Sequence, residues 1–179
     1  MRVIAGSARG VPLTAPRGSR TRPITDRVKE TLFGILGERV PDARVLDLYA
    51  GSGAIGIEAL SRGAMCADFV ELDRAALAAL RLNLERTRLS EAASVHVQDV
   101  ERFLASSEES WDLVVLDPPY EVRAIVAPLR AVVPRLAPGA SVVIKHFWRT
   151  EVPEDGGLAV IRTRRFGETT LSFLEASDR

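Results

Sequence analysis

Cysteine is nearly absent from this chain, one in 179 residues, and histidine and aromatic residues are scarce, at two residues and 6%. A single thiol, Cys66, makes no internal disulfide, so the expectation is a reduced, cytoplasmic protein with a buried thiol. Two histidines and one cysteine give no metal-ligand spacing, and no metal is expected. No apolar run approaches the length of a bilayer span. The start, Met1-Arg2-Val3-Ile4-Ala5-Gly6, turns polar too early for a signal peptide. Internal repeats, low-complexity tracts and long linkers are also missing. What remains, 46% hydrophobic, is an ordinary domain with an ample core.

Net charge is zero as well, with 24 basic and 24 acidic residues, but its distribution is uneven. Residues 1–29 hold seven bases (Arg2, Arg9, Arg17, Arg20, Arg22, Arg27 and Lys29) against Asp26, about +6, and the rest of the chain balances them at about −6. A basic arm on an acidic body suits contact with a polyanion, and those seven residues are the candidate nucleic-acid contacts. Gly6, Gly10, Pro12, Pro16 and Gly18 punctuate short apolar pairs, so the arm reads as a hairpin (Arg2–Gly6, Val11–Thr14) and an ordered loop. The expected division is an extension over 1–24 and a body over 25–179.

From Thr25 the spacing is helical, with Val28, Leu32, Ile35 and Leu36 on one face, Thr25 or Asp26 as N-cap and Gly37 at the end. Strands then alternate with helices: strands at Arg44–Tyr49, Asp68–Leu72, Ser94–Gln98, Trp111–Asp117 and Ser141–His146, helices at Ala54–Ser61, Arg74–Arg88, Val100–Ala105 and Ile125–Leu136. Leu158–Phe166 and Thr169–Leu174, split by Gly167-Glu168, read as a closing hairpin. The pattern implies an α/β fold, a mainly parallel sheet with helices on both faces, and ligands at the carboxyl ends of its strands.

Asp47-Leu48-Tyr49-Ala50-Gly51-Ser52-Gly53-Ala54-Ile55-Gly56 contains the dinucleotide-type pattern G-x-G-x-x-G. A diphosphate on that helix start would meet the Asp47 carboxylate, whereas S-adenosylmethionine, which carries an ammonium and a sulfonium, is compatible with it. Glu71, eighteen residues past Gly53, suits ribose hydroxyls. Asp99 suits an adenine amino group or an N-cap, two compatible roles. The candidate cofactor residues are Asp47, Tyr49, Gly51, Gly53, Glu71, Asp99 and Val100. Asp117-Pro118-Pro119-Tyr120 closes the fourth strand. A rigid carboxylate-and-carbonyl cluster there can hold the poorly nucleophilic exocyclic amine of a base, and Tyr120 offers a stacking face, so Asp117, Pro118 and Tyr120 are the candidate catalytic residues.

With Arg2-Val3-Ile4-Ala5-Gly6, Arg9-Gly10, Thr21-Arg22-Pro23-Ile24-Thr25-Asp26-Arg27-Val28-Lys29-Glu30-Thr31-Leu32-Phe33 and Arg165-Phe166-Gly167-Glu168-Thr169, these motifs make the chain resemble, over nearly its whole length, the RsmD family of bacterial 16S ribosomal RNA guanine-N2 methyltransferases. The resemblance implies a seven-stranded Rossmann-like methyltransferase sheet and an RNA-contacting basic hairpin. The implied partner is 16S rRNA, the small ribosomal subunit or an assembly intermediate, with no membrane and no obligate protein partner. Lys145-His146 stands where an acid is expected after the fifth strand. A DNA amino-methyltransferase and a non-catalytic RNA-binding or ribosome-assembly module are the alternatives. His96 is expected at the surface, and Trp111 and Trp148 in packing roles. Arg162, Arg164 and Arg165 either extend the basic surface or form the solvent face of an edge hairpin.

Overall fold

The computed structural model describes residues 1–16, 24–118, 123–153 and 157–176. The helix expected after Thr25 is α1 (Asp26–Leu36); the Thr25 side chain accepts from the Val28 N–H, and Gly37 caps the other end at φ 51°. There follow β1 (Arg44–Leu48), α2 (Ala54–Ser61), β2 (Cys66–Glu71), α3 (Arg74–Thr87), β3 (Ala93–Val97), α4 (Val100–Ser106), β4 (Trp111–Leu116), α5 (Arg123–Val132), β5 (Leu136–Phe147), β6 (Leu158–Phe166) and β7 (Thr169–Ala176). The helix expected over Ile125–Leu136 ends as α because Pro134 has no N–H to continue the ladder; a 3-10 turn, Val133–Arg135, completes it. β5 begins five residues earlier than its apolar run indicates, since Trp111 pairs with Leu136 before a register shift.

The sheet order is β3-β2-β1-β4-β5-β7-β6. The first five strands are parallel, and β7 is antiparallel to both β5 and β6. The closing hairpin therefore inserts its second strand beside β5 and leaves β6 at the edge. Alternation along the central strands splits the core into two layers. Val45, Val115 and Val143 face a cluster with α1, α2 and α3. Leu46, Leu48, Val114, Leu116 and Ile144 face a second cluster with α4 and α5.

The N-terminal segment is part of the first layer. Val3, Ala8 and Leu13 are buried in the same cluster as Leu32, Val45 and Ile57, so the expected boundary near residue 24 has no counterpart in the packing. Residues 2 and 12 form one antiparallel bridge, a minimal hairpin rather than two full strands. Glu58 of α2 locks it down. Its buried carboxylate accepts from the Ile4 and Ala5 N–H groups at 2.8 and 3.0 Å, Lys29 Nζ at 3.0 Å and Arg62 Nε at 2.9 Å. Gly6 sits at φ 83° where a Cβ would lie 1.6 Å from the Ser61 carbonyl oxygen, so only glycine allows the close approach. Cys66 is half-buried rather than enclosed. His96 is no free surface residue: it bonds Asp68 at 2.7 Å and lies against the Phe103 ring at 4.6 Å. Asp68 also accepts from the indole of fully buried Trp111.

Candidate active site

Three carboxylates converge at the carboxyl ends of β1, β2 and β4. Asp47 and Asp117 follow Val45 and Val115 by two residues on their strands and so share the face of the first core layer. Asp47 is 1% exposed, and its Oδ2 accepts from the Gly56 N–H at 2.9 Å inside α2. Burial, with the negative charges of Asp117 and Glu71 nearby, raises its pKa from 3.8 to about 8; the Gly56 hydrogen bond opposes the rise.

The turn between β1 and α2 is shaped by backbone conformation. Gly51 and Gly53 have φ of 57° and 76°, and Tyr49 takes φ 59°. For a tyrosine that left-handed geometry costs roughly 1–2 kcal/mol, a strain set at the mouth of the expected cofactor turn. Burial and the charges of Asp99 and Glu101 raise the Tyr49 phenol to about 12. Gly53 has a packing reason besides its φ, since a Cβ there would come within 2.2 Å of Leu80 Cδ1.

Glu71 ends β2 and clamps the same turn. One oxygen accepts from the Gly51 N–H at 2.8 Å, the other from the Leu72 and Asp73 N–H groups at 2.7 and 2.8 Å. Asp99 is exposed and caps α4, accepting from the Arg102 N–H at 3.1 Å. Val100 buries its side chain in the second core layer, so only its backbone at the helix start is available to a ligand.

Asp117 carries the feature that sequence reasoning left unexplained. Lys145 Nζ donates to both its oxygens, at 2.6 and 2.9 Å. Lys145 is 5% exposed and Asp117 29% on the side-chain scale. Burial raises the Asp117 pKa, and the Lys145 charge and its hydrogen bonds pull it back. The parallel register β4–β5, Leu116 opposite Ile144, makes this pair; the sequence signal was only a basic residue at a strand end where an acid was expected. His146, on the other face, is buried, with Nε2 2.8 Å from Ser172 Oγ, and burial lowers its pKa. Pro118 is buried; Tyr120, like Arg17, Arg20 and Arg22, lies outside the described residues.

The other arm residues separate. Arg2, Arg9 and Arg27 are exposed, Arg2 within 3.2 Å of Asp26. Lys29 is a correction to the sequence expectation: it is fully buried, paired with Glu58 and hydrogen-bonded to the Arg2 carbonyl, and cannot touch RNA from there. Among the described residues no cluster of His, Cys, Asp and Glu could hold a metal ion, and no helix is long and apolar enough to cross a membrane.

A parallel sheet with an inserted antiparallel last strand, a glycine turn after β1 and an acid closing β2 define a Rossmann-like methyltransferase fold. Over residues 1–175 the chain matches the model of the family described as Conserved hypothetical protein 95, the RsmD family, and it belongs to that family. It is 39% identical over 175 residues, 94% of this chain and 95% of the other, to the "Putative rRNA methyltransferase YlbH" of Bacillus subtilis (strain 168). It is 42% identical over 120 residues, 67% of this chain and 60% of the other, to the Ribosomal RNA small subunit methyltransferase D of Escherichia coli (strain K12). Among solved structures, the "Putative methyltransferase yhhF" of Escherichia coli superposes with a TM-score of 0.89 at 32% identity, over 100% of this chain and 99% of that one.

Proposed function

We propose that this protein transfers a methyl group from S-adenosylmethionine to the exocyclic N2 amine of a guanine in 16S rRNA of the small ribosomal subunit. The observation that carries the chemistry is Asp117, a carboxylate at the end of β4 beside the β1 turn, held on both oxygens by Lys145. The family and its rRNA methyltransferase relatives support the substrate.

The residues present fit S-adenosylmethionine. Asp47 is a buried carboxylate whose neighbours Asp117 and Glu71 raise its pKa further, an environment that favours a cationic ligand and disfavours a diphosphate. Tyr49, Gly51, Gly53, Glu71, Asp99 and the Val100 backbone would hold the cofactor with it. When bound, the cofactor supplies an electrophilic methyl group on a sulfonium and leaves as S-adenosylhomocysteine.

The protein's own contribution is orientation and charge. Asp117 and the Pro118 carbonyl would accept the two N–H bonds of the guanine amine and direct its nitrogen toward the methyl group. As the N–C bond forms, positive charge grows on that nitrogen and the Asp117 carboxylate stabilises it in place, without solvent reorganisation. The alkylated nitrogen then releases a proton toward Asp117 and solvent. Tyr120 would provide the face on which the unstacked base lies.

Tritiated S-adenosylmethionine offered with small-subunit particles, naked 16S rRNA, DNA or protein tests the reading. Labelled N2-methylguanosine in digested rRNA is the expected product. Label confined to DNA or protein, or calorimetry showing NAD bound and S-adenosylhomocysteine unbound, overturns it.

A further inference from the structure

The carboxyl end of β5 runs past Asp117 toward an indole carrying two arginines. Trp148 follows β5, and its backbone N–H donates to the Glu168 carbonyl at 2.9 Å, fixing it against the β6–β7 turn. The guanidinium carbons of Arg149 and Arg165 stand 4.7 and 4.0 Å from the centre of the Trp148 ring. Arg162, Arg164, Arg165 and Arg149 are all exposed. Among the described residues, none of these four pairs with a carboxylate.

Such an arrangement is more than packing. A guanidinium stacked by its face keeps its in-plane N–H donors directed outward, and the stacking has already ordered a long side chain. Arg165 spends Nε on the Gly167 carbonyl at 2.8 Å, which leaves its Nη donors in a fixed fork suited to phosphate oxygens. Two guanidinium groups on one ring without acid partners would also repel one another in the absence of an anion.

The location matches the chemistry. Asp117 lies opposite Lys145, and Trp148 is three residues further along, about 10 Å at strand spacing. β6 lies two strands from β5, a further 10 Å or so sideways, by roughly the usual strand separation. A nucleic-acid strand rising ~3.4 Å per residue bridges such distances within several nucleotides.

We infer that Trp148, Arg149 and Arg165 form a second RNA-contact surface, besides the N-terminal arm, that grips the phosphates flanking the target nucleotide. This rests on the RNA methyltransferase reading. Loop Gly167-Glu168 and Trp148 fix the surface to the sheet, so it orients the strand as well as attracting it.

The test measures binding of a 16S rRNA fragment across a salt series for the wild type, Arg149→Gln, Arg165→Gln and the double variant. Both positions are at the surface, and S-adenosylhomocysteine affinity reports that each variant is folded. Each substitution is expected to weaken RNA binding and to flatten the plot of log affinity against log salt by about 0.7, additively in the double variant. Trp148 supplies a direct readout. RNA should change the intrinsic fluorescence of the wild type, and the change should vanish in Trp148→Phe, because the other tryptophan, Trp111, is fully buried. Unchanged salt slopes in folded variants of an enzyme that does bind RNA overturn this surface alone. A wild type that neither binds nor methylates RNA overturns the parent reading and this inference with it.

Discussion

The Asp117 carboxylate accepts two hydrogen bonds from one buried ammonium, and this decides how it meets a substrate amine. Each of its oxygens retains lone pairs, so Lys145 fixes the carboxylate's rotation without excluding a second donor. It also opposes the burial that favours the neutral acid. Without the cation, Asp117 should stay protonated to higher pH and lose its value as an acceptor. Lys145→Met is therefore expected to lower kcat and to move the acid limb of its pH profile upward, whereas Lys145→Arg keeps the limb close to wild type; single-turnover methylation across pH reads both. Removing Asp117 outright would leave Lys145 buried and unpaired, so Asp117→Asn is the cleaner substitution for measuring its contribution to turnover. Asp47 gives a stability prediction. Its folded pKa, about 8, lies above the ordinary 3.8, so the folded state holds the proton over that interval. Its contribution to stability falls as pH rises from about 4 to about 8 and levels off above. Asp47→Asn keeps an acceptor for the Gly56 N–H and does not titrate. In the ligand-free protein its melting temperature should gain on the wild type's progressively through that window, by the equivalent of several kcal/mol, one pKa unit being about 1.4 kcal/mol.

At the scale of elements, the N-terminal hairpin is held by α2 through a single carboxylate. Glu58 satisfies two hairpin N–H groups and two cations, Lys29 from α1 and Arg62 from the next turn of its own helix. Arg62 in turn lies 4.7 Å from the centre of the Phe33 ring, which ties α1 into the same network. Buried ion pairs add little over apolar packing, but removing one partner strands the other. Glu58→Ala is expected to cost about 3–5 kcal/mol, measured by urea denaturation, and to raise hydrogen exchange across residues 1–14 ahead of the central sheet. On the other side of the hairpin, Asn83 of α3 accepts from the Thr14 N–H and donates to the Thr14 and Ser52 carbonyls. The hairpin is thereby joined to the glycine turn through one side chain. An arm with this many anchors is a rigid surface, and its deletion would open the core around Val3, Ala8 and Leu13 rather than remove a tail.

Across the whole molecule, a protein of zero net charge exposes basic side chains both in its N-terminal arm and around Trp148. Arg2, Arg9 and Arg27 are exposed in the N-terminal part of the chain, and Arg149 and Arg165 lie on the Trp148 ring near the end of β5. Asp47, Glu71 and Asp117, with Lys145, gather at the carboxyl ends of the strands. Point substitution tests the arm better than truncation. Arg9→Gln with Arg27→Gln should flatten the RNA salt slope by about 0.7 for each phosphate that these side chains neutralise, with S-adenosylhomocysteine affinity unchanged within about two-fold. A salt slope equal to the wild type's in folded protein would remove the arm from the interface.

Much of this architecture was legible along the chain because it depends on local pattern. Ala54–Ser61 reads as a helix from its own glycine and apolar spacing, Thr25 marks a helix start by its hydroxyl, and the two β-rich runs around Gly167-Glu168 declare a hairpin. The acids at strand ends followed from counting, since each strand of a parallel sheet delivers its last residue to the same rim. What the sequence could not decide depended on partners far apart in number. Lys29 belongs to a basic cluster when read along the chain, yet the fold buries it against Glu58, 29 residues away. Lys145 looks like a departure from pattern until the β4–β5 register sets it against Asp117, 28 residues away. Trp148 reads as packing until the β6–β7 turn brings Arg165 onto its ring. Periodicity and turn chemistry are short-range properties, so they fix elements. Which charge meets which is settled only when strand register and helix docking bring distant residues within a few ångströms.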